Sequence, residues 1–269
     1  MICPSCGKLI GLDEPRCPFC GAWRPGLYGW SPVLQRFFGR RADLAGMIVG
    51  ACVVLYVGSL ALDPMAIFRF AGIFSILSPS SHALYLLGMT SGPVMREGWW
   101  WTVITAIYLH GSLLHIFFNL MWVRNLGPAL EEVYGSARGF IIFTFAGAVG
   151  FVVSNLASGV PTIGASGSIF GLLAALIVHG RRTGHTMLTR QLWQWAIIVF
   201  VLGFVMSGVN NWGHAGGFAG GWIAAQVLPS RPDGRERPAI QLAALALIVL
   251  TLAGFVLSFI RVTSAIMAG

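Results

Sequence analysis

The stretch PTIGASGSIFGLLAALIVHG, residues 161–180, begins like a turn and continues like a membrane helix. Ser166 lies at the junction, flanked by Gly164-Ala165 and Gly167, which have almost no side chain. Helix capping is one explanation, because an N-cap hydroxyl accepts a hydrogen bond from a free amide of the first turn. A nucleophile at the start of an apolar helix is the functional alternative. The rest of the chain contains the residues that a nucleophile needs.

The composition is that of a membrane protein. The 269 residues are 56% hydrophobic and 10% charged, with a mean hydropathy of +0.77, whereas soluble domains carry about 25% charged residues. These values predict an all-α polytopic membrane protein that contacts the lipid bilayer along most of its length. A net charge of +8 is also typical of nucleic-acid binding. The arginines lie between apolar segments, however, so we attribute them to membrane topology and expect no nucleic-acid partner.

Apolar segments of helical length recur along the chain, and a helix needs about 20 residues to cross the hydrocarbon core. Residues 63–101 are interrupted by three prolines, and we expect a long, partly embedded loop there. An eighth span near 65–78 is the alternative. The seven predicted transmembrane helices lie near residues 43–62, 113–130, 139–158, 166–180, 192–208, 213–228 and 239–260.

Arginines give the orientation of these segments. They concentrate before the first span and between spans two and three, four and five, and six and seven, and the positive-inside rule places such regions in the cytoplasm. Seven spans put all four regions on one side together with the N-terminus. We therefore expect an integral protein of the bacterial cytoplasmic (inner) membrane with a cytoplasmic N-terminus. The arginines are Arg36, Arg40, Arg41, Arg138, Arg181, Arg182, Arg190, Arg231, Arg235 and Arg237.

Four cysteines lie within the first 20 residues, as Cys3, Cys6, Cys17 and Cys20. Two C-x2-C pairs at this spacing suit tetrahedral Zn²⁺, and disulfides are the alternative. About twenty residues cannot fold on a hydrophobic core alone, so a structural zinc would supply the folding energy. We predict a cytoplasmic zinc-ribbon-like module over residues 1–22, followed by a linker and amphipathic segment over 23–41. A cytoplasmic partner of this module is a further hypothesis.

Polar residues appear at the outer ends of three predicted spans. Ser166 begins span four, His214 begins span six, and His115 and Asn119 lie near the start of span two. Polar groups inside membrane segments are costly and are usually functional. His214 can act as the general base that activates Ser166. Because no Asp or Glu lies at these outer ends, the sequence favours a Ser–His dyad, with Phe170 on the Ser166 face packing against the imidazole.

An attacked carbonyl also needs hydrogen-bond donors for its oxygen. His115 and Asn119 are four residues apart and share one helix face, and both donate hydrogen bonds. The backbone N–H of Ser166, at a helix N-terminus, adds a third donor. For His115 taken alone, a satisfied polar residue at a helix end is the alternative.

Small residues predict that spans four and six approach closely. Gly167 with Gly171, and Gly213 with Gly217 and Gly221, form small-xxx-small faces, although ordinary membrane packing explains such glycines equally well on their own. Span four is also short. From Ser166 onward it rises only about 21 Å, against roughly 30 Å of hydrocarbon, which places the serine below the outer surface.

Three segments resemble the signature segments of the rhomboid family of intramembrane serine proteases. The resemblance covers about residues 43–228 and implies a six-helix catalytic core over 42–228 that a substrate helix enters laterally. Residues 229–269 then form a loop and a helix that is similar to the extra seventh helix of some members. The segments are HGSLLHIFFNLMWVRNLGPALEEVYG from His110, GASGSIFG from Gly164 and NNWGHAGGFAGG from Asn210.

The resemblance implies a role for each residue of the site. Ser166 corresponds to the nucleophile and His214 to the base, while His115 and Asn119 match the oxyanion positions. Gly164 matches the first glycine of the family's Gly-x-Ser-Gly motif. The glycines that match the close-packing positions after the catalytic histidine are Gly217 and Gly221.

One departure from the family pattern concerns the first long loop. Members often have Trp-Arg there, whereas REGWWWTV has Trp101 followed by Thr102, so the usual anchor of the loop is missing. We nevertheless expect a serine endopeptidase that cleaves transmembrane segments of membrane proteins through an acyl-enzyme, without a catalytic cofactor. A catalytically inactive relative that binds transmembrane helices is the alternative. A transporter is disfavoured, because the sequence shows neither ionisable groups near the midplane nor an internal repeat.

Overall fold

A computed structural model describes the fold. Within the described residues the secondary structure consists of α-helices and short 3₁₀ helices, with isolated bridges in place of sheets, which confirms the predicted all-α class. The predicted linker and amphipathic segment over 23–41 lies outside the described part, and the domain boundaries stay predictions. The described residues are Cys3, 6–11, 14–21, 43–68, 72–206, 208–230 and 236–268.

Seven long helices overlie the seven predicted apolar segments, and short helices lie between the first two of them. The α-helices are α1 (Leu44–Leu62), α2 (Ser81–Leu86), α3 (Gly92–Arg96), α4 (Thr102–Thr105), α5 (Leu113–Tyr134), α6 (Ser136–Ala157), α7 (Ser166–Thr183), α8 (Thr186–Val205), α9 (Asn211–Val227) and α10 (Pro238–Ala268). The 3₁₀ helices are Pro64–Phe68, Ile73–Ser75 and Ala106–Tyr108.

Length and composition allow four of the described helices, α1, α6, α8 and α10, to cross a membrane on their own. A fifth candidate combines Thr102–Tyr108 with α5, although the two parts meet at an angle of 93°. α9 has only 17 residues, and α7 ends with Arg181 and Arg182 in its last turn. The chain is therefore polytopic, and the count of seven spans stays a prediction.

The segment between α1 and α5 folds as the predicted loop. It contains only short helices, and no continuous helix of membrane-spanning length occurs in its described residues, including those of the alternative span near 65–78. Serines start two of these helices, because Ser80 caps α2 and Ser91 caps α3 through their side-chain oxygens. This segment is therefore a loop of short helices rather than an additional transmembrane helix.

α7 is the central helix of the bundle. It contacts α5, α6, α8 and α9, and every residue from Ser168 to Val178 is buried. A helix that is apolar on all sides belongs in the interior, whereas an amphipathic helix belongs at a surface. The nucleophile candidate thus stands at the start of the most enclosed helix.

The outer helices present apolar side chains to their surroundings. On α8 and α10 the exposed residues include Val201, Phe204, Leu252 and Phe259, and Phe204 keeps 72% of its surface accessible. Exposed apolar surface on this scale is typical of helices that face lipid.

Glycines bring α6, α7 and α9 into backbone contact. A methyl group on Gly150 of α6 would lie 2.6 Å from the carbonyl oxygen of Gly213 in α9, and one on Gly217 would overlap the backbone of Gly167 in α7. One turn further along, Gly221 lies in the same relation to the backbone of Gly171. Because backbone atoms occupy the space of the missing side chains, the helices can approach this closely only through glycine.

We expect Gly221→Ala to destabilise the protein by about 1–3 kcal/mol, because its methyl group meets rigid backbone rather than a flexible side chain. Thermal unfolding in detergent measures the change. Gly58→Ala is the matched control, since Gly58 in α1 has no atom within 4 Å of the new methyl position. Equal unfolding temperatures for the two variants would contradict glycine-dependent packing of α7 on α9.

Candidate active site

Ser166 is the first residue of α7, and the loop before it is tightly held. Gly164 adopts φ +116°, which favours glycine, and its N–H donates to the carbonyl oxygen of Ala106 at 2.9 Å. The N-cap of α7 is Ala165, and no side chain caps this helix. The Ser166 hydroxyl therefore makes no capping hydrogen bond, and capping does not explain it.

His214 lies in the first turn of α9, which Asn210 caps by accepting hydrogen bonds from two amides of that turn. The imidazole is buried and stacks on Phe170, with ring centroids 4.4 Å apart and an interplanar angle of 19°. Its Nδ1 has no hydrogen-bond partner among the described residues. Phe170 therefore fixes the plane of the imidazole, and no carboxylate orients it.

Ser166 and His214 come from helices that touch at this level. A methyl group on Gly167 would lie 3.2 Å from the carbonyl oxygen of Gly213, so the residues after the serine and before the histidine are in contact. No hydrogen bond joins the Ser166 hydroxyl to the His214 ring in the described part of the chain. Catalytic hydrogen bonds are often long without substrate and tighten when it binds, so this geometry is compatible with a dyad.

His115 lies at the start of α5 beside the loop that precedes Ser166. Its Nδ1 accepts a hydrogen bond from the N–H of Gly111 at 3.3 Å, so in the neutral ring Nε2 carries the proton. A methyl group on Gly164 would lie only 2.6 Å from that Nε2. An N–H donor thus points to the backbone immediately before the candidate nucleophile.

Asn119 is buried one turn beyond His115. Its Nδ2 donates to the carbonyl oxygen of His115 at 2.8 Å, which occupies one of its two N–H groups within its own helix. Its Oδ1 has no partner in the described structure. The side chain shares the predicted face with His115, and no hydrogen bond connects it to Ser166.

His110 precedes α5 and is a buried neighbour of the site. Its Nδ1 lies 3.2 Å from the carbonyl oxygen of Tyr108, and its ring centroid lies 5.1 Å from that of His115. Its Nε2 is buried and lacks a partner among the described groups. The sequence could indicate that His110 and His115 are close only through their five-residue spacing, and this spacing does not match a helical period.

Hydrogen bonds between side chains connect the segments that carry the site, and the sequence reasoning missed them. Asn210 Nδ2 donates to Ser154 Oγ at 2.7 Å and to Thr162 Oγ1 at 3.1 Å. Asn155 Nδ2 donates to Thr90 Oγ1 at 2.8 Å, and the N–H of Thr162 donates to the carbonyl oxygen of Thr90 at 2.9 Å. This network joins α6, the cap of α9 and the loop before Ser166. An Asn directly before a helix was the available signal for Asn210.

The four N-terminal cysteines form a separate cluster. Cys3 Sγ lies 3.8 Å from Cys20 Sγ, and Cys6 Sγ lies 3.7 Å from Cys17 Sγ. Tetrahedral zinc with Zn–S bonds of about 2.3 Å places its sulfurs about 3.8 Å apart, whereas a disulfide needs about 2.05 Å. All four sulfurs lie within 4.8 Å of one another, and no disulfide joins these described cysteines. The cluster therefore fits a structural metal ion better than it fits disulfides.

The two knuckles of this cluster have the same backbone geometry. Gly7 donates to the carbonyl oxygen of Cys3, and Gly21 donates to that of Cys17, both at 2.9 Å, with φ values of +74° and +73°. A backbone hydrogen bond at Lys8 lowers the pKa of Cys6, but desolvation and the three other thiols raise it to about 11. Because a metal ion binds the thiolate, metal binding at Cys6 would release a proton.

Comparisons with known proteins show that the chain is similar to rhomboid proteins. It is 34% identical over 155 residues to "Rhomboid protease GluP" of Bacillus subtilis (strain 168), which covers 56% of this chain and 30% of that protein. "RHOMBOID-like protein 1" of Arabidopsis thaliana is 27% identical over 190 residues, or 68% of this chain and 47% of the relative. "Putative rhomboid protease YdcA" of Bacillus subtilis (strain 168) is 28% identical over 159 residues, or 56% of this chain and 75% of the relative.

The chain spans less than half of GluP and of RHOMBOID-like protein 1, so these similarities concern a shared domain rather than whole proteins. That domain is the helical bundle. The family model of the rhomboid domain matches residues 97–231, which run from the loop before α4 to beyond α9 and make up half of the chain. The chain therefore belongs to the rhomboid family.

Proposed function

We propose that this protein is an intramembrane serine endopeptidase that cleaves transmembrane segments of other membrane proteins. One observation carries the proposal: Ser166 begins a buried helix that touches the start of α9, where the buried Nδ1 of His214 has no hydrogen-bond partner among the described residues. Two relatives, GluP and YdcA, are named proteases, which supports the same activity. Ser166 is the nucleophile and His214 the general base.

In the proposed reaction the Ser166 Oγ attacks the carbonyl carbon of the scissile peptide bond while His214 takes its proton. When the tetrahedral intermediate collapses, the C–N bond breaks and His214 returns the proton to the leaving amine. The resulting acyl-enzyme is an ester of Ser166. Water then attacks this ester with His214 as base, which releases the second product and restores the hydroxyl. No metal or organic cofactor takes part in these steps.

Three donors stabilise the oxyanion in this mechanism. They are the Nε2–H of His115, the side-chain amide of Asn119 and the backbone N–H of Ser166. The tautomer that Gly111 imposes on His115 supports the first of these, because it presents an N–H toward the loop before Ser166. The start of α7 supports the third, because the free amides and the dipole of a helix N-terminus favour a negative charge.

The proposed setting is the bacterial inner membrane, with the N-terminus in the cytoplasm and Ser166 toward the outer side. The apolar surface of α8 and α10 supports direct contact with lipid. A substrate helix then enters the site laterally from the bilayer. A cytoplasmic partner of the cysteine module stays a prediction.

Ser166→Ala should abolish cleavage of a single-span substrate in liposomes, with a loss of about 10⁶-fold in kcat, because no other group replaces the nucleophile. A fluorophosphonate should label the wild type at Ser166 and leave this variant unlabelled. Ser168→Ala is the matched control on the same helix, since its buried hydroxyl has no hydrogen-bond partner among the described residues. If the wild type neither cleaves nor becomes labelled while it still binds transmembrane helices, the inactive-relative alternative replaces the protease proposal.

His115→Phe should lower kcat by about 10²–10³-fold with little change in KM, because an oxyanion donor acts mainly in the transition state. Initial rates over a range of substrate concentrations in liposomes separate the two constants. His82→Phe serves as the control, because His82 is exposed in the loop away from the site. An unchanged kcat in His115→Phe would remove this residue from the oxyanion site.

We propose further that the cysteine cluster binds one structural Zn²⁺ through Cys3, Cys6, Cys17 and Cys20. Metal analysis of the purified protein should give one zinc per chain, and the double variant Cys3→Ser, Cys6→Ser should lose it. Cys52→Ala, which removes the buried cysteine of α1, should keep the metal. A metal-free wild type, or a Cys6–Cys17 disulfide detected by mass spectrometry, would contradict the zinc proposal.

A further inference from the structure

The loop segment before α5 is attached to α10 through a tryptophan. The Nε1–H of Trp101 donates to Ser258 Oγ at 2.9 Å, and both residues are buried, with Ser258 inaccessible. The Trp101 ring stacks on Trp99 with centroids 5.9 Å apart, and the guanidinium of Arg261 lies 5.9 Å from the ring centroid. A cation over an indole ring adds an electrostatic attraction to such a contact.

The same face of α10 packs closely against this segment. A methyl group on Gly254 would lie 2.9 Å from Thr105 Cγ2, and one on Gly88 would lie 2.6 Å from Ser258 Oγ. Thr105 Oγ1 in turn donates to the carbonyl oxygen of Gly88 at 2.8 Å. Gly254 and Ser258 are four residues apart, and Arg261 follows three residues later, so they form one stripe along α10.

Another part of α10 faces open space. From Gln241 to Leu252 the helix borders a groove of about 610 Å³ that separates it from α1. Near its start, Glu236 pairs with Arg138 of α6 at 2.9 Å. The ion pair thus lies at one end of the helix and the Trp101 contact toward the other, and α10 also contacts α6 and α2.

Residues 102–108, here called the anchored segment, also contact the loop before Ser166 and the histidine that packs against His115. The carbonyl oxygen of Ala106 accepts the hydrogen bond from Gly164, two residues before Ser166. The carbonyl oxygen of Tyr108 lies 3.2 Å from Nδ1 of His110, whose ring packs against His115. A displacement of residues 102–108 would thus reach the nucleophile and an oxyanion donor together.

We propose that α10 positions the active site through Trp101, with Ser258 and Arg261 as positioning residues. The loop lacks the arginine that often follows this tryptophan in rhomboids, and Arg261 supplies a cation to Trp101 from α10 instead. Trp101 and Ser258 are buried, so their effect is on the placement of Ala106 and Tyr108. The inference rests on the proposed protease function for its effect on rate, but its structural part can be measured independently.

The direct readout is hydrogen exchange at the Gly164 amide, which donates its hydrogen bond to the carbonyl oxygen of Ala106. Ser258→Ala should accelerate exchange in the peptide that contains Gly164, because the anchored segment loosens. Ser264→Ala, an exposed serine on the same helix, is the matched control and should leave exchange unchanged. Equal exchange in both variants overturns the inference, whether or not the protein is a protease.

The kinetic readout is cleavage and fluorophosphonate labelling at a temperature well below the unfolding transitions of all variants. Ser258→Ala should lower kcat and the labelling rate of Ser166 by about fivefold with KM unchanged, which corresponds to one hydrogen bond. In the background of Trp101→Phe, which removes the donor, Ser258→Ala should have no further effect. Arg261→Lys should keep the wild-type rate better than Arg261→Leu, because lysine keeps the cation.

Gly254→Val gives an independent disturbance of the same contact, and Gly58→Val on the open face of α1 is its control. Gly254→Val should slow labelling of Ser166, whereas Gly58→Val should not. If Ser258→Ala and Gly254→Val lower the unfolding temperature but label at the wild-type rate, α10 only stabilises the bundle and the inference is wrong. A wild type that is never labelled refutes the protease function instead, and the exchange experiment still decides the positional claim.

Discussion

The backbone contact among α6, α7 and α9 is the constraint on which the rest of the structure depends. Between apolar helices in lipid there is little hydrophobic drive for association, so close packing of small residues has to supply the attraction. Gly150, Gly167 and Gly217 provide it, because each leaves room for the backbone of a neighbouring helix. The same contact sets the distance between Ser166 and His214, because each of them is next to a glycine of the contacting faces.

The buried polar groups divide into two sets with different consequences. Asn210 and Asn155 are hydrogen-bonded to hydroxyls across segment boundaries, and they hold the loops in one arrangement. His214 Nδ1, Asn119 Oδ1 and His110 Nε2 are buried without partners in the described structure. Unpaired buried polar atoms are expensive, so a cluster of them beside a candidate nucleophile indicates groups held ready for substrate or water.

The N-terminal cysteine module is stabilised in a different way from the bundle. Its buried apolar residues are few, and its geometry comes from two glycine knuckles and four converging sulfurs. The bundle, in contrast, contains one large cluster of buried apolar side chains that extends over all its long helices except α10. The proposed metal ion would therefore stabilise the cysteine module, whereas helix packing stabilises the bundle.

Much of this architecture was predictable from the sequence, because hydropathy and helical period are local properties. The seven apolar segments became seven helices, and the proline-rich segment after α1 became a loop of short helices. The stacking of Phe170 on His214 followed from a four-residue spacing on α7 and a partner on a glycine-rich helix. The sulfur cluster followed from the paired cysteine motifs alone.

Other features required the tertiary structure. The sequence indicated Ser166 and His214. It did not indicate that no direct hydrogen bond joins their side chains in the described structure, because their separation depends on how α7 and α9 cross. It contained no sign that Trp101 binds Ser258, since the two are 157 positions apart. By itself the sequence determined which residues are chemically able to react and which segments are helical. Only the packing decided how those residues are oriented, because distances between helices depend on contacts that no local pattern records.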